Sequence, residues 1–293
     1  MNKSTSYLLV TAGASLWGLI GLFVKLLAAE GFSSMQIVAL RTLTAALFIT
    51  PLLWRGGAGG FRVAARDLWM FFGTGVLSLT FFNYCYFNCI KASSLAVAAL
   101  LLYTAPSFVM LMSLVLFKER FTLPKMAALA AAFGGCALVT GALGGRLELS
   151  FAGIMYGLGS GVGYALYSIF GKFALRRYST MTITAYTFYF ACVSSFLCAD
   201  FSGVAAERLL AWRTIGGALG LGVLCAVVPY LLYTKGLAGI DAGQASVIAT
   251  IEPFVAAAVG VAVFNEPLTL AKGAGMLLIL LSIVGLELAE KKG

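Results

Sequence analysis

The chain of 293 residues contains no histidine. The commonest metal ligand is therefore missing, and with it the side chain that ordinarily changes charge near neutral pH. Charge of either sign is scarce. Lys and Arg number 20 and Asp and Glu 11, together 11% of residues, where soluble domains carry about 25%. The apolar runs are joined by short connections, which leaves no room for a soluble domain, a nucleotide-binding module or a long tail. Six cysteines are present, at positions 85, 89, 136, 192, 198 and 225, all inside or at the ends of apolar stretches. They show neither metal-ligand spacing nor a paired extracellular framework, so they read as small hydrophobes. No cofactor and no metal site is expected.

What the chain does have is apolar surface. Hydrophobic residues make up 61%, against about 45–50% in soluble domains. One soluble core cannot absorb that excess, so lipid must solvate most of the exterior. A helix needs roughly 20 apolar residues to cross about 30 Å of hydrocarbon. Ten stretches qualify: 5–28, 34–54, 68–90, 94–117, 124–142, 151–171, 180–200, 214–235, 242–264 and 272–288. They are continuous runs, unlike the alternating ten-residue segments of a membrane β-barrel. "AGA" at 12–14 resembles a signal-cleavage site, but only Tyr7–Thr11 precede it as apolar core, so the first stretch is expected to stay in the membrane.

The net charge of +9 would suggest an anionic partner in a soluble protein. Here its placement follows the membrane. With both termini on one side, thirteen basic residues fall there, among them Arg62, Arg66, Arg120, Arg176 and Arg177. Six fall opposite, including Lys91, Arg146 and Lys272. The excess marks the cytoplasmic side, so both termini are expected in the cytoplasm of a multi-pass cell-membrane protein. Nucleic acid is not an expected partner.

The sequence also repeats itself. "YTAPSFVMLMSLVLFKERFTLPK" (103–125) aligns with "TIEPFVAAAVGVAVFNEPLTLAK" (250–272) at an offset of 147. Pro106 meets Pro253, Glu119 meets Glu266 and Lys125 meets Lys272. The same offset pairs Trp17 with Tyr164 and Lys25 with Lys172, and an offset of 146 aligns 33–39 with 179–185. Each half then holds five spans. Five is odd, so the second half enters the membrane upside down. The expected fold is an all-α integral membrane protein with ten transmembrane helices arranged as two inverted five-helix repeats, residues 1–145 and 146–293. Inverted repeats around a midplane site are the plan of many secondary transporters.

Two charges lie deep in the expected spans, Arg41 and Glu252. Each costs about 2.5–3.5 kcal/mol at a helix centre on insertion scales, so each should face a cavity or a partner. Two readings stay open. Arg41 and Glu252 pair with each other, or Glu252 binds a substrate amine or a coupling proton while Arg41 contacts an anion or tunes the acid. Pro253 is expected to break its helix beside Glu252 and free a carbonyl near Ala249, and Pro106 to do the same in the first half. Pro253 has a twin, but Glu252 aligns with Ala105, so the acid belongs to one half alone. Trp17, Asn83, Tyr84, Tyr103, Tyr164 and Tyr230 are the remaining candidate substrate contacts. Tyr7, Trp54 and Trp69 read as interfacial anchors. Gly153, Gly157 and Gly161 form a small-residue face. Glu119 and Glu266 close the fourth and ninth spans, where they are expected to cap the next helix or anchor a loop.

With "LWG" at 16–18 followed by Lys25, Arg41 in the second span, and the Pro-to-Glu spacing of Pro106 to Glu119 and Pro253 to Glu266, the chain resembles the drug/metabolite transporter superfamily. Within it, the EamA-type ten-helix members are the match, and the glycine-rich fifth and tenth spans fit too. The resemblance covers essentially the whole chain. It implies one central cavity lined by spans one, three, four, six, eight and nine, and says little about substrate. Tyr164 departs from it, standing where a tryptophan is usual. The expected function is secondary active transport of small polar organic metabolites, amino-acid-like or related, by alternating access. A coupling proton is a candidate partner, the direction (export or import) stays open, and the assembly is a monomer or a homodimer. The alternatives are a membrane-embedded enzyme, which would need clustered acids, nucleophiles or metal ligands, and a channel, which would need rings of polar groups.

Overall fold

A computed structural model describes residues 2–55, 58–142 and 150–292. Among these residues all regular structure is helical. Eight helices are long and apolar enough to cross a membrane. They are α1 (Lys3–Ala29), α2 (Ser34–Arg55), α3 (Ala65–Ala92), α4 (Leu95–Phe117), α7 (Thr180–Cys198), α8 (Trp212–Leu237), α9 (Ala242–Phe264) and α10 (Leu270–Lys292). Between α4 and α7 lie the 17-residue apolar helix α5 (Leu123–Val139) and the glycine-rich α6 (Phe151–Ala174). Each coincides with a stretch read from hydropathy, shifted by a few residues at the ends. The expected boundary between halves at 145–146, with Arg146, lies outside the described residues.

Local chemistry sets the helix ends. Ser94, Ser150 and Ser179 are N-caps whose hydroxyls accept from the amides of Val97, Gly153 and Thr182. Asp241 and Gln244 form a capping box at the start of α9. At the other ends, α4 and α9 stop on left-handed residues, Lys118 (φ 58°) and Asn265 (φ 54°). These two positions are 147 apart.

The same spacing governs the irregular backbone. α3 widens into a π-helix over Gly73–Thr80 and α8 over Gly220–Val227. α4 is interrupted between Leu102 and Ala105, and α9 between Ile248 and Ile251. The π-turns and left-handed ends recur at 147 and the interruptions at 146, a correspondence that random apolar sequence would not produce.

α1 is also interrupted, between Trp17 and Ile20. Gly18 at that point touches the interruption in α9: a Cβ there would sit 2.6 Å from Val255 Cβ and 2.9 Å from the Glu252 carbonyl oxygen. The N-terminal half of α1 packs on the C-terminal part of α8, and the C-terminal part of α3 packs on α6. α5 and α10 form a tight outer pair. Their backbones nearly touch, because a Cβ on Gly135 would lie 2.8 Å from the Gly275 oxygen and one on Gly275 2.7 Å from the Gly135 oxygen. The Gly153–Gly157–Gly161 face receives Ser93, Leu101 and Thr104. Trp54 and Trp69 are exposed, but Tyr7, expected as an interfacial anchor with them, is buried at 4% exposure within the core. The packing of this part of α1 on α8 covers that residue.

Candidate functional site

A cavity of about 540 Å³ opens where α1, α3, α4, α5 and α9 meet. Gly21 and Lys25 of α1, Tyr86 of α3, Ala99 and Tyr103 of α4, and Pro253 of α9 are among its walls. Val139 and Thr140 at the end of α5 also line it, an element the resemblance did not place there. Its mouth carries charge. The Lys25 ammonium lies 3.5 Å from the Phe264 ring centroid, and Lys272 pairs with Glu266 at 3.0 Å.

Glu252 is not itself a lining residue but adjoins Pro253, which is. It begins the second segment of α9, 12 residues or about 18 Å of helix from Phe264 at the mouth. Tyr164 of α6 donates to its Oε2 at 2.9 Å. No ion pair reaches it among the described residues. Tyr86, Tyr103 and Cys136 lie within Coulombic range of the carboxylate, and so does Arg41, the one cation among the described residues that acts on it without touching it. The arrangement is an acid in an apolar, aromatic wall with one hydrogen-bond donor and no basic neighbour in contact. Such a group can take up a proton or a cation, since either removes the cost of an isolated buried charge.

Below Glu252 the aromatic side chains close the path. Trp17 meets Tyr164 and Tyr230 edge-on and Tyr233 at a tilt, with centroids 6.2, 5.2 and 5.2 Å away. Tyr167 bonds Thr234 at 2.6 Å and Tyr233 bonds Ser168 at 2.7 Å, which locks α6 to α8. The remaining gap among these rings is only about 10 Å³, room for a single water. The buried Trp17 Nε1 has no hydrogen-bond partner among the described residues. Spans six and eight therefore meet the site through this floor and not through the open cavity.

Arg41 does not pair with Glu252. Its Nη2 donates to the Cys225 carbonyl oxygen at 2.9 Å, inside the π-helical stretch of α8, and its Nε has no partner among the described residues. A widened turn disturbs the regular ladder, and a guanidinium on the neighbouring helix fits the carbonyl it presents. Asn83 is buried but donates within its own helix, to the Leu79 oxygen at 2.7 Å. Tyr84, 44% exposed, lies on the outer surface against Tyr156, so the structure does not bring it to the cavity. The carbonyl of Ala249 is not left open at the proline break, because the Glu252 amide donates to it at 3.1 Å. Pro106 sits in the matching first turn after the break in α4.

Sequence reasoning missed a second cluster. Glu119 does not cap the helix that follows it. It accepts from the Ala242 and Gly243 amides, at 2.8 and 3.2 Å, at the start of α9. Lys125 pairs with Asp241 at 2.6 Å, and Lys172 donates to the oxygens of Leu237 and Ile240. The signal was present, since all three side chains have charged twins in the repeat.

One consequence concerns Tyr164. Tyr164→Phe removes the only hydrogen bond to the Glu252 carboxylate among the described residues, and little volume. A bond to a charged group contributes about 1.5–3 kcal/mol. A roughly tenfold loss of substrate affinity, with folding intact by size-exclusion chromatography, is the expected result in a binding assay.

The EamA-like transporter family matches residues 4–141 and again residues 151–288, two stretches of equal length offset by 147 residues. An uncharacterized transporter of Archaeoglobus fulgidus is 30% identical over 269 residues, covering 83% of this chain and 93% of its own. The uncharacterized transporter YwfM of Bacillus subtilis is 23% identical over 299 residues, covering 100% and 97%. A protein solved by crystallography superposes with a TM-score of 0.83 over 99% of both chains at 17% identity, a likeness of fold. A family match across both halves, on a bundle of membrane-length helices, settles what the chain is. It belongs to the EamA-like transporter family.

Proposed function

We propose that the protein is a secondary carrier of small organic molecules that bear an amine, amino-acid-like or related, working by alternating access. In this reading all ten helices cross the cell membrane as two inverted five-helix repeats, residues 1–145 and 146–293, with both termini cytoplasmic. The cavity then opens outward, and the end gripped by Glu119 is the closed cytoplasmic side. The observation that carries the reading is Glu252: a carboxylate with no basic group in contact, midway along α9 and next to Pro253, which lines the open cavity. A cationic amine is the ligand such a group selects, and a proton is its natural competitor. Exchange of one for the other couples substrate movement to the proton gradient. Small size follows from the cavity of about 540 Å³.

The test is transport into proteoliposomes of a radiolabelled panel of zwitterionic amino acids, primary amines and carboxylates, with and without an imposed pH gradient. Saturable uptake of an amine-bearing compound, accelerated by the gradient, is expected. Uptake confined to carboxylates lacking an amine contradicts the assignment.

A further inference from the structure

The charged twins are in different states at the two ends. On one side, three side chains grip the connection from α8 to α9. Glu119 holds the amides of Ala242 and Gly243, Lys172 holds the oxygens of Leu237 and Ile240, and Lys125 holds Asp241. The helical stretch that begins there, Ala242–Ile248, is buried at every residue. The 147-residue offset maps these grips onto Glu266 with the amides of Leu95 and Ala96, and Lys25 with the oxygens of Ile90 and Ser93. Neither twin grip is made here. Glu266 is turned to Lys272 and Lys25 lies on Phe264. Leu95 is 62% exposed, and both Leu95 and Ala96 line the open cavity.

We infer that Lys25 and Glu266 are the gate-closing residues of the open end, and that they clamp residues 90–96 when the transporter turns over. The inference rests on the alternating-access reading above. Closing moves the start of α4 toward the end of α9. Glu266 then accepts from the Leu95 and Ala96 amides, where carboxylates are favoured at a helix start, and Lys25 donates to the carbonyls that end α3. The clamp of Glu119 and Lys172 releases residues 237–243 at the other end. The two clamps are unequal, because Asp241 aligns with Ser94. The third grip has no acid on the open side, and Lys272 is left to hold Glu266 away. An end with two grips in place of three is the one that stands open.

Twin reporters read this directly. Ala99 lines the open cavity, and its counterpart 147 residues on, Ser246, is 5% exposed. Each is replaced singly by cysteine after Cys192→Ser and Cys198→Ser, since the other four natural cysteines are buried. Reaction with a membrane-impermeant maleimide is then timed in detergent solution. In the parent, position 99 reacts faster than position 246. Glu119→Gln should raise the rate at 246 about tenfold and lower that at 99, and Glu266→Gln should do the reverse. Glu119→Gln/Glu266→Gln together should return both rates toward the parent. Ser94→Asp supplies the missing acid at a position where Asp caps as well as Ser. It should slow labelling at 99 several-fold and raise it at 246, an effect misfolding cannot imitate.

If Glu119→Gln shifts both rates while Glu266→Gln and Ser94→Asp stay within twofold of the parent, the clamp assignment is wrong and the carrier reading survives. If position 246 stays inert in every variant while Ser94→Asp still slows 99, the clamp stands and alternating access falls. No response at either position overturns both.

Discussion

Glu252→Gln is expected to lower substrate transport in proteoliposomes by about a hundredfold or more. An amine bound in the cavity gives up its hydration, and the carboxylate supplies the compensating charge. Removing one partner of a buried pair costs about 3–5 kcal/mol, which corresponds to two or three powers of ten. The substitution is nearly isosteric, and a glutamine oxygen can still accept from Tyr164. The variant should therefore fold, and it has no buried charge left to stabilise. Loss of transport with a normal chromatographic profile places the effect in the site. A variant that carries substrate at the parent rate, with the same response to pH, removes Glu252 from the mechanism.

The second large effect concerns stability, at the close packing of α5 on α10. Gly275→Leu should lower the unfolding temperature in detergent by about 10 °C. The neighbour of the new Cβ is the Gly135 backbone oxygen, 2.7 Å away, and backbone on a packed helix cannot rotate aside. Overpacking of this kind costs about 3 kcal/mol, and a chain of this size loses a few degrees per kcal/mol. Gly273→Leu is the matched control. It sits two residues earlier on the same helix, and nothing lies within 4 Å of its added carbon. An equal fall for both variants would mean that α10 tolerates leucine poorly everywhere, and that the approach of α5 and α10 is not special.

The parts of the fold readable from sequence are those set by local physics. Apolar length located the helices, and α6 was found despite its glycines because its flanks are polar. The 147-residue repeat announced the paired prolines and the paired glutamates. The π-helical stretches were not legible, because Gly73–Thr80 and Gly220–Val227 are ordinary apolar sequence. Their widening lies in backbone pairing and not in composition. That gap hid the partner of Arg41. Depth along the membrane suggested Glu252, whereas the Cys225 carbonyl exists as an acceptor only once α8 is folded.

The site shows the same division. Depth and chemistry singled out Glu252, and the repeat singled out Trp17 with its counterpart Tyr164, which the fold brings within 6.2 Å of each other. Direction around a helix was the weak point. Asn83 and Tyr84 are adjacent in sequence, yet one is buried and the other 44% exposed. Neighbouring residues diverge by about 100° around the axis, and α3 shifts that phase through its π-turn. Glu119 was under-read for a related reason. Its partners belong to the other half of the chain, more than 120 positions away, and only the folded molecule puts them in reach.

Thermal unfolding of purified protein with a panel of amines, zwitterionic amino acids and simple carboxylates tests the assignment of Glu252 most directly, because it needs neither an orientation nor a coupling ion. At least one amine-bearing compound should raise the unfolding temperature of the parent by several degrees at saturating concentration, and the same compound should leave Glu252→Gln where it was. Equal stabilisation of parent and variant would contradict the account.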